Sequence, residues 1–495
     1  MSKFTLSLFE PNTLLPHRAG ITGLALALSD IDGEDALISW DISEDAVELN
    51  WECSDKEALQ WLVEQTYEIQ DGLLVARSLK LSDDQGRYAF SQGVLSTFLQ
   101  HSKQRTLEKT ATPIPIVVEA DKPEILLSCR KLIDCYYLRE LKGVFNNKGQ
   151  FKSSISVKGQ HLPGLVECFL NGEYQESPTG FIPLLFLPLA CNYYLMTGGR
   201  YALVIPEVTN LKVWITRRQQ RSGYSYKDFR SPSAGEAGLR LLLEEQTISN
   251  LKSHKVKYCE VYQLGKQPWD NNQSGLKQAV YRIHASDDIL EIYQSAVVLF
   301  PSKVRLTDKG EPWLALSKVL PWIAENLVAQ RAWYSGFYEF RKANDIYERK
   351  GLVSMTENFL QLDEQKLFDA VQGGFSNYLS GQIKQAKRQG RQLDYGQVTD
   401  KVIYRLQRPN TQQEFAKALV DFLSQFRSKA SKGTGKEIYS WIHGHEWRKA
   451  RDLALLAVAT YQGKTQNGAP NETDTDAVNI TQEAESKTEE YVETL

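Results

Sequence analysis

Strand-length runs of β-branched and aromatic residues recur through the first two-thirds of this chain and stop near Trp333. "PIPIVVEA", "RYALVIPEV", "LKVWIT", "VKYCEVYQL" and "QAVYRIHAS" all have strand length and strand composition. "ALISWDISEDAVELNW" alternates apolar and polar residues on both sides of Ser43-Glu44-Asp45, the pattern of a hairpin. Helical periodicity fills the intervals, as in "GEAGLRLLLEEQTI" and "EPWLALSKVLPWIAENLVAQRAWY". Because strands and helices do not alternate regularly, the pattern predicts a mixed α+β region rather than a doubly wound sheet. Past Trp333 only helical signals remain. "TQQEFAKALVDFLSQF" sets Phe415, Leu419, Phe422 and Phe426 on one face, with Thr411 and Glu414 placed for a capping box. "EWRKARDLALLAVATY" reads as a second helix, and "KASKGTGKE" as a loop. The organisation expected is α+β over 1–340, a helical bundle over 341–463, and a polar, acidic segment over 464–495 too poor in large aliphatics to order itself. No internal repeat with a fixed period is visible.

A chain of 495 residues suits two or three domains, and 42% hydrophobic residues with 11% aromatics is a globular composition. The net charge of -3 is unevenly spread. From Lys464 onward eight acids face only Lys464 and Lys487, about -6, which leaves roughly +3 on the rest. Six scattered cysteines (Cys53, Cys129, Cys135, Cys168, Cys191, Cys259) include no CxxC pair, so a zinc ribbon or redox motif is not expected. "MSKFTLSLFEPNT" does not read as a signal peptide, and a cytoplasmic protein with reduced thiols is expected. "FIPLLFLPLACNYYLM" is shorter than the ~20 residues a membrane helix needs. Pro183 and Pro188 interrupt it, and it is read as buried core with no membrane partner.

Catalytic signatures are missing. The chain has no GxxxxGK[ST], no GxGxxG and no HExxH. "HGHEW" brings His443, His445 and Glu446 together, but a spacing of two points helical histidines in different directions, so a helix start is the simpler reading. His161 and His254 precede Cys168 and Cys259 without implying a catalytic pair, and nothing names a nucleophile for His17. No catalytic residue, metal or cofactor is expected.

Three basic features are better defined. In "RRQQRSGYSYKDFR", Arg217, Arg218, Arg221, Lys227 and Arg230 could neutralise phosphates. Tyr224 and Tyr226 could stack on bases or support the loop, and Gln219 and Gln220 could read base edges. The alternative is a solvated hairpin loop after the strand "LKVWIT". In "FSNYLSGQIKQAKRQGRQLDYGQ", Phe375, Leu379, Ile383, Ala386 and Leu393 share one side of a helix. Lys384, Lys387, Arg388 and Arg391 fall opposite, either as a track for a phosphate backbone or as an ordinary solvated face. Cations recur at Lys401, Arg405 and Arg408, then at Lys432, Lys436, Arg448, Lys449 and Arg451. In "LPHRAGITGLALAL", His17 and Arg18 precede a helix expected over Ala19 to Ser29. Its N-terminus would be an anion site, or else Gly20 and Gly23 mark close packing with Arg18 paired to a carboxylate.

"HRAGITGLALAL", "YKDFRSPSAGEAGLR", "AWYSGFYEF" and "WRKARDLALLAVATY" together resemble the large subunit of type I CRISPR effector complexes (Cascade), nearest the I-B variety, including the branch carried by CRISPR-associated transposons. The likeness runs from about Leu15 to Tyr461 in scattered short motifs, none of them catalytic. It implies a non-enzymatic subunit that contacts the 5′ handle of the guide RNA, recognises the protospacer-adjacent motif in double-stranded target DNA, and helps stabilise the R-loop. Guide pairing then reads the sequence. The implied partners are guide RNA, target DNA, the other Cascade backbone subunits and, in transposon systems, a transposition adaptor. A C-terminal bundle similar to the small subunit is implied as well, and with it a separate product initiated near Met355. Two other readings compete: a metal-dependent enzyme on a polyanionic substrate using His443, His445 and Glu446, and a structural interaction subunit whose basic patches meet acidic proteins.

Overall fold

The computed structural model describes residues 2–462, apart from 12, 34–35, 82, 140, 164–173, 197–199, 221–224, 249–255, 257, 266–278 and 344–347. Residues 463–495, including the segment expected to be disordered, lie outside the described residues. Two compact units divide the rest: Met1–Leu290 with Ser302–Ser317, and Glu291–Pro301 with the chain from Lys318 onward. Strands and helices mix in the first, while among the described residues the second is helical, which is the α+β class expected.

In the first unit β1 (Ser2–Ser7), β2 (Ile38–Ile42) and β3 (Ala46–Trp51) form an antiparallel sheet in the order β1-β3-β2. The expected hairpin is present: Ile42 pairs with Val47, and the Ser43 hydroxyl accepts the Ala46 N–H at 2.9 Å. β4 (Tyr67–Gln70) pairs with β5 (Leu73–Ala76), β6 (Arg105–Ile116) with β7 (Ile125–Cys135), and β8 (Ile155–Val157) with β9 (Tyr174–Glu176). A four-stranded antiparallel sheet follows, β10 (Asn192–Leu195), β11 (Arg200–Pro206), β12 (Tyr258–Gly265) and β13 (Ala279–His284), and then the ribbon β14 (Lys303–Leu306) and β15 (Pro312–Ala315). β15 occupies the start of the long segment read as helix from Glu311, and the helix there begins only at Val319.

The helices of this unit are α1 (Leu15–Leu28), α2 (Asp55–Thr66), α3 (Asp84–Thr97), α4 (Pro178–Leu184), α5 (Leu187–Ala190), α6 (Leu211–Gln220) and α7 (Ala234–Ile248). α8 (Asp287–Leu299) enters the second unit at Glu291. The apolar run from Phe181 folds as α4, α5 and β10 and is buried apart from Asn192. Among the described residues no helix is long and apolar enough to cross a membrane. α1 lies against this core so closely that a Cβ on Gly20 or Gly23 would stand 2.3 Å from the Pro183 carbonyl oxygen or 2.0 Å from that of Phe186. Glycine is required at both positions because backbone, which cannot swing aside, occupies the space.

The second unit contains α9 (Val319–Val328), α10 (Phe337–Ala343), α11 (Arg349–Phe359), α12 (Leu362–Arg388), α13 (Tyr395–Gln407), α14 (Gln412–Gln425), α15 (Gly435–His443) and α16 (Trp447–Ala459). α16 is its centre: every residue from Ala450 to Ala459 is buried. Asp452 accepts the Gly336 and Tyr338 N–H groups, each at 2.9 Å, so one carboxylate serves the free amides at the start of α10. Burial raises the Asp452 pKa, opposed by those two hydrogen bonds. Glu364 accepts the Tyr334 hydroxyl at 2.9 Å and meets Lys449 Nζ at 2.9 Å. The expected capping box of Thr411 and Glu414 opens α14, with Phe415, Leu419 and Phe422 buried beneath it. Met355 is fully buried in α11. A product beginning there would lack Tyr334, Gly336 and Tyr338, leaving buried Glu364 and Asp452 without these donors.

Candidate nucleic-acid interface

The arginine-rich stretch begins on a helix, not after a strand. "LKVWIT" is the first part of α6, despite β-branched Val213, Ile215 and Thr216. The Asn210 side chain accepts the Val213 N–H at 3.0 Å, an N-cap that starts the helix. Leu211, Trp214 and Arg217, at helical spacing, all face inward and are at most 5% exposed. Arg217 Nη1 lies 3.6 Å from Glu245 Oε2, with side chains only 7% and 2% exposed, which makes it the interior counter-ion of that acid. Arg218 donates to Asn192 Oδ1 at 2.7 Å and to the Cys191 carbonyl at 3.1 Å, and its guanidinium stands 5.7 Å from the Trp214 ring centre.

Gln219 is exposed and donates to Ser29 Oγ at 3.3 Å. Tyr226 is buried edge-on against Tyr88, with the Arg230 guanidinium over its ring, and burial raises its pKa. Lys227 Nζ lies 3.7 Å from Glu119. Arg221, Tyr224 and the Gln220 side chain lie outside the described residues. Arg217 and Tyr226 therefore have interior roles in place of the surface roles expected of them. Where the residue pattern predicts a strand leading to an exposed loop, the structure has a helix that turns Arg217 inward.

The N-terminal feature follows the close-packing reading. α1 starts at Leu15, so His17 and Arg18 lie within it rather than ahead of it. His17 is 3% exposed, with Nε2 3.0 Å from Glu176 Oε1. Burial would raise the Glu176 pKa, but hydrogen bonds from His17 and Tyr174 outweigh it and hold the carboxyl below its usual value. Arg18 Nη2 donates to Tyr258 Oη at 3.1 Å and lies 3.6 Å from Glu207.

α12 presents the opposite case. A capping box between Gln361 and Glu364 starts it, and Leu367, Phe368, Val371, Phe375 and Leu379 bury one stripe. Past Leu379 nothing on the helix is fully buried. The Gly390 N–H reaches the Lys387 carbonyl at 3.3 Å and the Arg391 N–H the Ala386 carbonyl at 3.0 Å, a Schellman ending that needs the positive φ of 62° at Gly390. Lys384, Lys387, Arg388 and Arg391 are all exposed on and just beyond these last turns. None makes a side-chain hydrogen bond or ion pair with the described residues.

Further exposed cations belong to the same unit. Lys401, Tyr404 and Arg408 share one face of α13 at spacings of three and four, and Tyr404 is 64% exposed. The segment after α14 lies along α12: Asn377 Nδ2 donates to the Arg427 carbonyl at 2.5 Å, and a Cβ on Gly373 would meet Ser428 Oγ at 2.6 Å. Exposed Arg427, Lys429, Lys432 and Lys436 follow on this segment and at the start of α15. Residues 381–436 hold twelve Lys and Arg against four Asp and Glu, a net +8. An exposed array of cations with interspersed aromatics can follow a phosphodiester chain and stack bases.

Several recurring cations do other work. Lys449 pairs with Glu364, Arg451 is buried over the Tyr338 ring, and Arg405 bonds to Gln425. Sequence reasoning missed Tyr404 and Tyr439, both more than 60% exposed, although the spacing of Tyr404 from Lys401 and Arg408 was available to find it. His443 ends α15 with its ring 4.3 Å from that of Tyr439, while His445 and Glu446 are exposed beyond it. Among the described residues no group of three or more His, Cys, Asp or Glu could hold a metal ion. His161 is buried, contacts Tyr136 Oη at 2.8 Å, and is pushed down to about 3 by desolvation and Lys158. Cys168 and His254 lie outside the described residues. The five described cysteines are unpaired, and burial raises the Cys135 thiol to about 11.

Comparison with known proteins supplies the family context. Residues 5–185 match the DevT N-terminal domain and residues 356–492 match the DevT C-terminal domain. The chain is 21% identical over 514 aligned residues to the CRISPR-associated protein Cas8a1/Csx13 of Myxococcus xanthus (strain DK1622), covering 93% of this chain and 89% of that protein. These likenesses, which extend through both units, support a CRISPR-associated large subunit of Cas8 type.

Proposed function

We propose that this chain is the non-catalytic, nucleic-acid-binding large subunit of an RNA-guided type I surveillance complex. In this reading it recognises the protospacer-adjacent motif and stabilises the R-loop, alongside guide RNA, target DNA and the backbone subunits. The short-motif likeness favours the I-B variety. The observation that carries the polynucleotide role is the exposed stripe of Lys384, Lys387, Arg388 and Arg391, four cations without a counter-ion among the described residues. Such charges repel one another, and a polyanion that releases condensed counterions on binding relieves that repulsion. The stripe would follow the backbone of a displaced or target strand, with Tyr404 on α13 offering a ring to an unstacked base.

Co-purification with the products of neighbouring genes, followed by sequencing of the retained RNA, tests the assignment. A common 5′ handle joined to variable spacer sequence is expected. A preparation free of RNA and of backbone subunits would overturn it. Whether DNA loss or insertion of a mobile element follows is then read from target plasmids in the same reconstituted system.

A further inference from the structure

We propose that the acidic C-terminal segment of this chain docks on the basic face of α12 and competes there with polynucleotide. The competition rests on the reading of that face as a polyanion contact; the docking does not. The last described turn fixes where this segment starts. Tyr461 Oη lies 2.8 Å from Ser376 Oγ, and the Tyr461 ring meets Phe375 edge-on at 5.2 Å. Ser376 is on α12, eight residues before Lys384, a distance of about 12 Å at the helical rise of ~1.5 Å per residue. The chain therefore leaves its last described contacts beside the helix that carries the stripe, with Arg349 of α11 donating to the Tyr461 carbonyl.

Length and charge agree. Glu472, the first acid, comes eleven residues after Tyr461, a span of at most about 36 Å when extended. From Glu472 to Glu493 eight acids accompany a single cation, Lys487. They face the net +8 of residues 381–436, in which the four stripe cations have no counter-ion among the described residues. A tether of this length holds the acids at an effective concentration on the order of millimolar, so weak individual contacts add up. The docked segment would screen the face against loosely held strands and yield to a polyanion fixed in register by guide pairing. As a contact between exposed charges it should weaken steeply with salt.

The test uses the full chain in two forms: the native sequence, and a variant with the eight acids from Glu472 to Glu493 changed to Asn or Gln. Zero-length carbodiimide cross-linking followed by mass spectrometry should join Glu483, Glu485, Glu489 or Glu490 to Lys384, Lys387, Lys432 or Lys436 within one chain, with the links lost in about 1 M salt. A fluorescein-labelled oligodeoxythymidine should bind the neutralised variant roughly tenfold tighter at low salt, the gap closing as salt rises. Links that form while neither chain binds the oligonucleotide would uphold the docking and end the polynucleotide reading of the face. Equal, measurable affinities for both chains without tail-to-face links would overturn the docking and leave that reading intact. Links directed to lysines elsewhere on the chain, rather than to this face, would also overturn it.

Discussion

Two helices, one from each unit, handle positive charge in opposite ways. In the first unit, α6 turns Arg217 inward to Glu245 and Arg218 onto carbonyl groups, so its cations hold the fold together. In the second, α12 runs past the end of its buried stripe and leaves four cations in water. Two basic stretches of similar density thus have different physical meanings. What separates them is whether an apolar residue one helical turn away pulls the cation inward. Trp214 does this for Arg217, and nothing does it for Arg388.

The difference predicts a divergence in stability. Arg217→Met should take an interior counter-ion from the buried Glu245 carboxylate and cost about 3–5 kcal/mol, read as a large fall in melting temperature. Adding Glu245→Leu should recover most of the loss; no loss in the single variant would show that the pair is not structural. Within the second unit, Tyr334→Phe removes a hydroxyl from buried Glu364 and should cost about 1.5–3 kcal/mol in denaturant unfolding. Gly381→Ala should act in the other direction. A Cβ there meets nothing within 4 Å, and replacing a mid-helix glycine should add about 0.5–1 kcal/mol. A loss instead would mean that α12 is not helical through this turn. Smallest of all, changing Lys384, Lys387, Arg388 and Arg391 to Gln should move stability by no more than about 0.5 kcal/mol, since they touch nothing that folding needs.

How much of this could be read in the sequence depended on the kind of signal. The hairpin at Ser43, the capping box at Thr411 and the buried run from Phe181 are local patterns, and each appears as expected. The α12 stripe was legible because an amphipathic helix states its exposed face in its own period. "LKVWIT" misled because β-branched residues favour strands only weakly, and the Asn210 cap with inward-facing Leu211 and Trp214 prevailed. The partners of Arg217 and Arg18 were not legible at all. Glu245 and Glu207 are distant in sequence and are brought near only by the fold. The same holds for Tyr461 on Ser376, the contact from which the acidic segment departs.

Salt dependence of oligonucleotide binding tests the central claim most directly, that the exposed cations of α12 rather than the inward arginines of α6 contact polyanions. Each phosphate contact contributes a slope of roughly 0.7 in log affinity against log salt for single strands, so the four-Gln variant should lose about 3 from the slope while keeping its fold. A variant that binds with the native affinity and native slope would contradict the account.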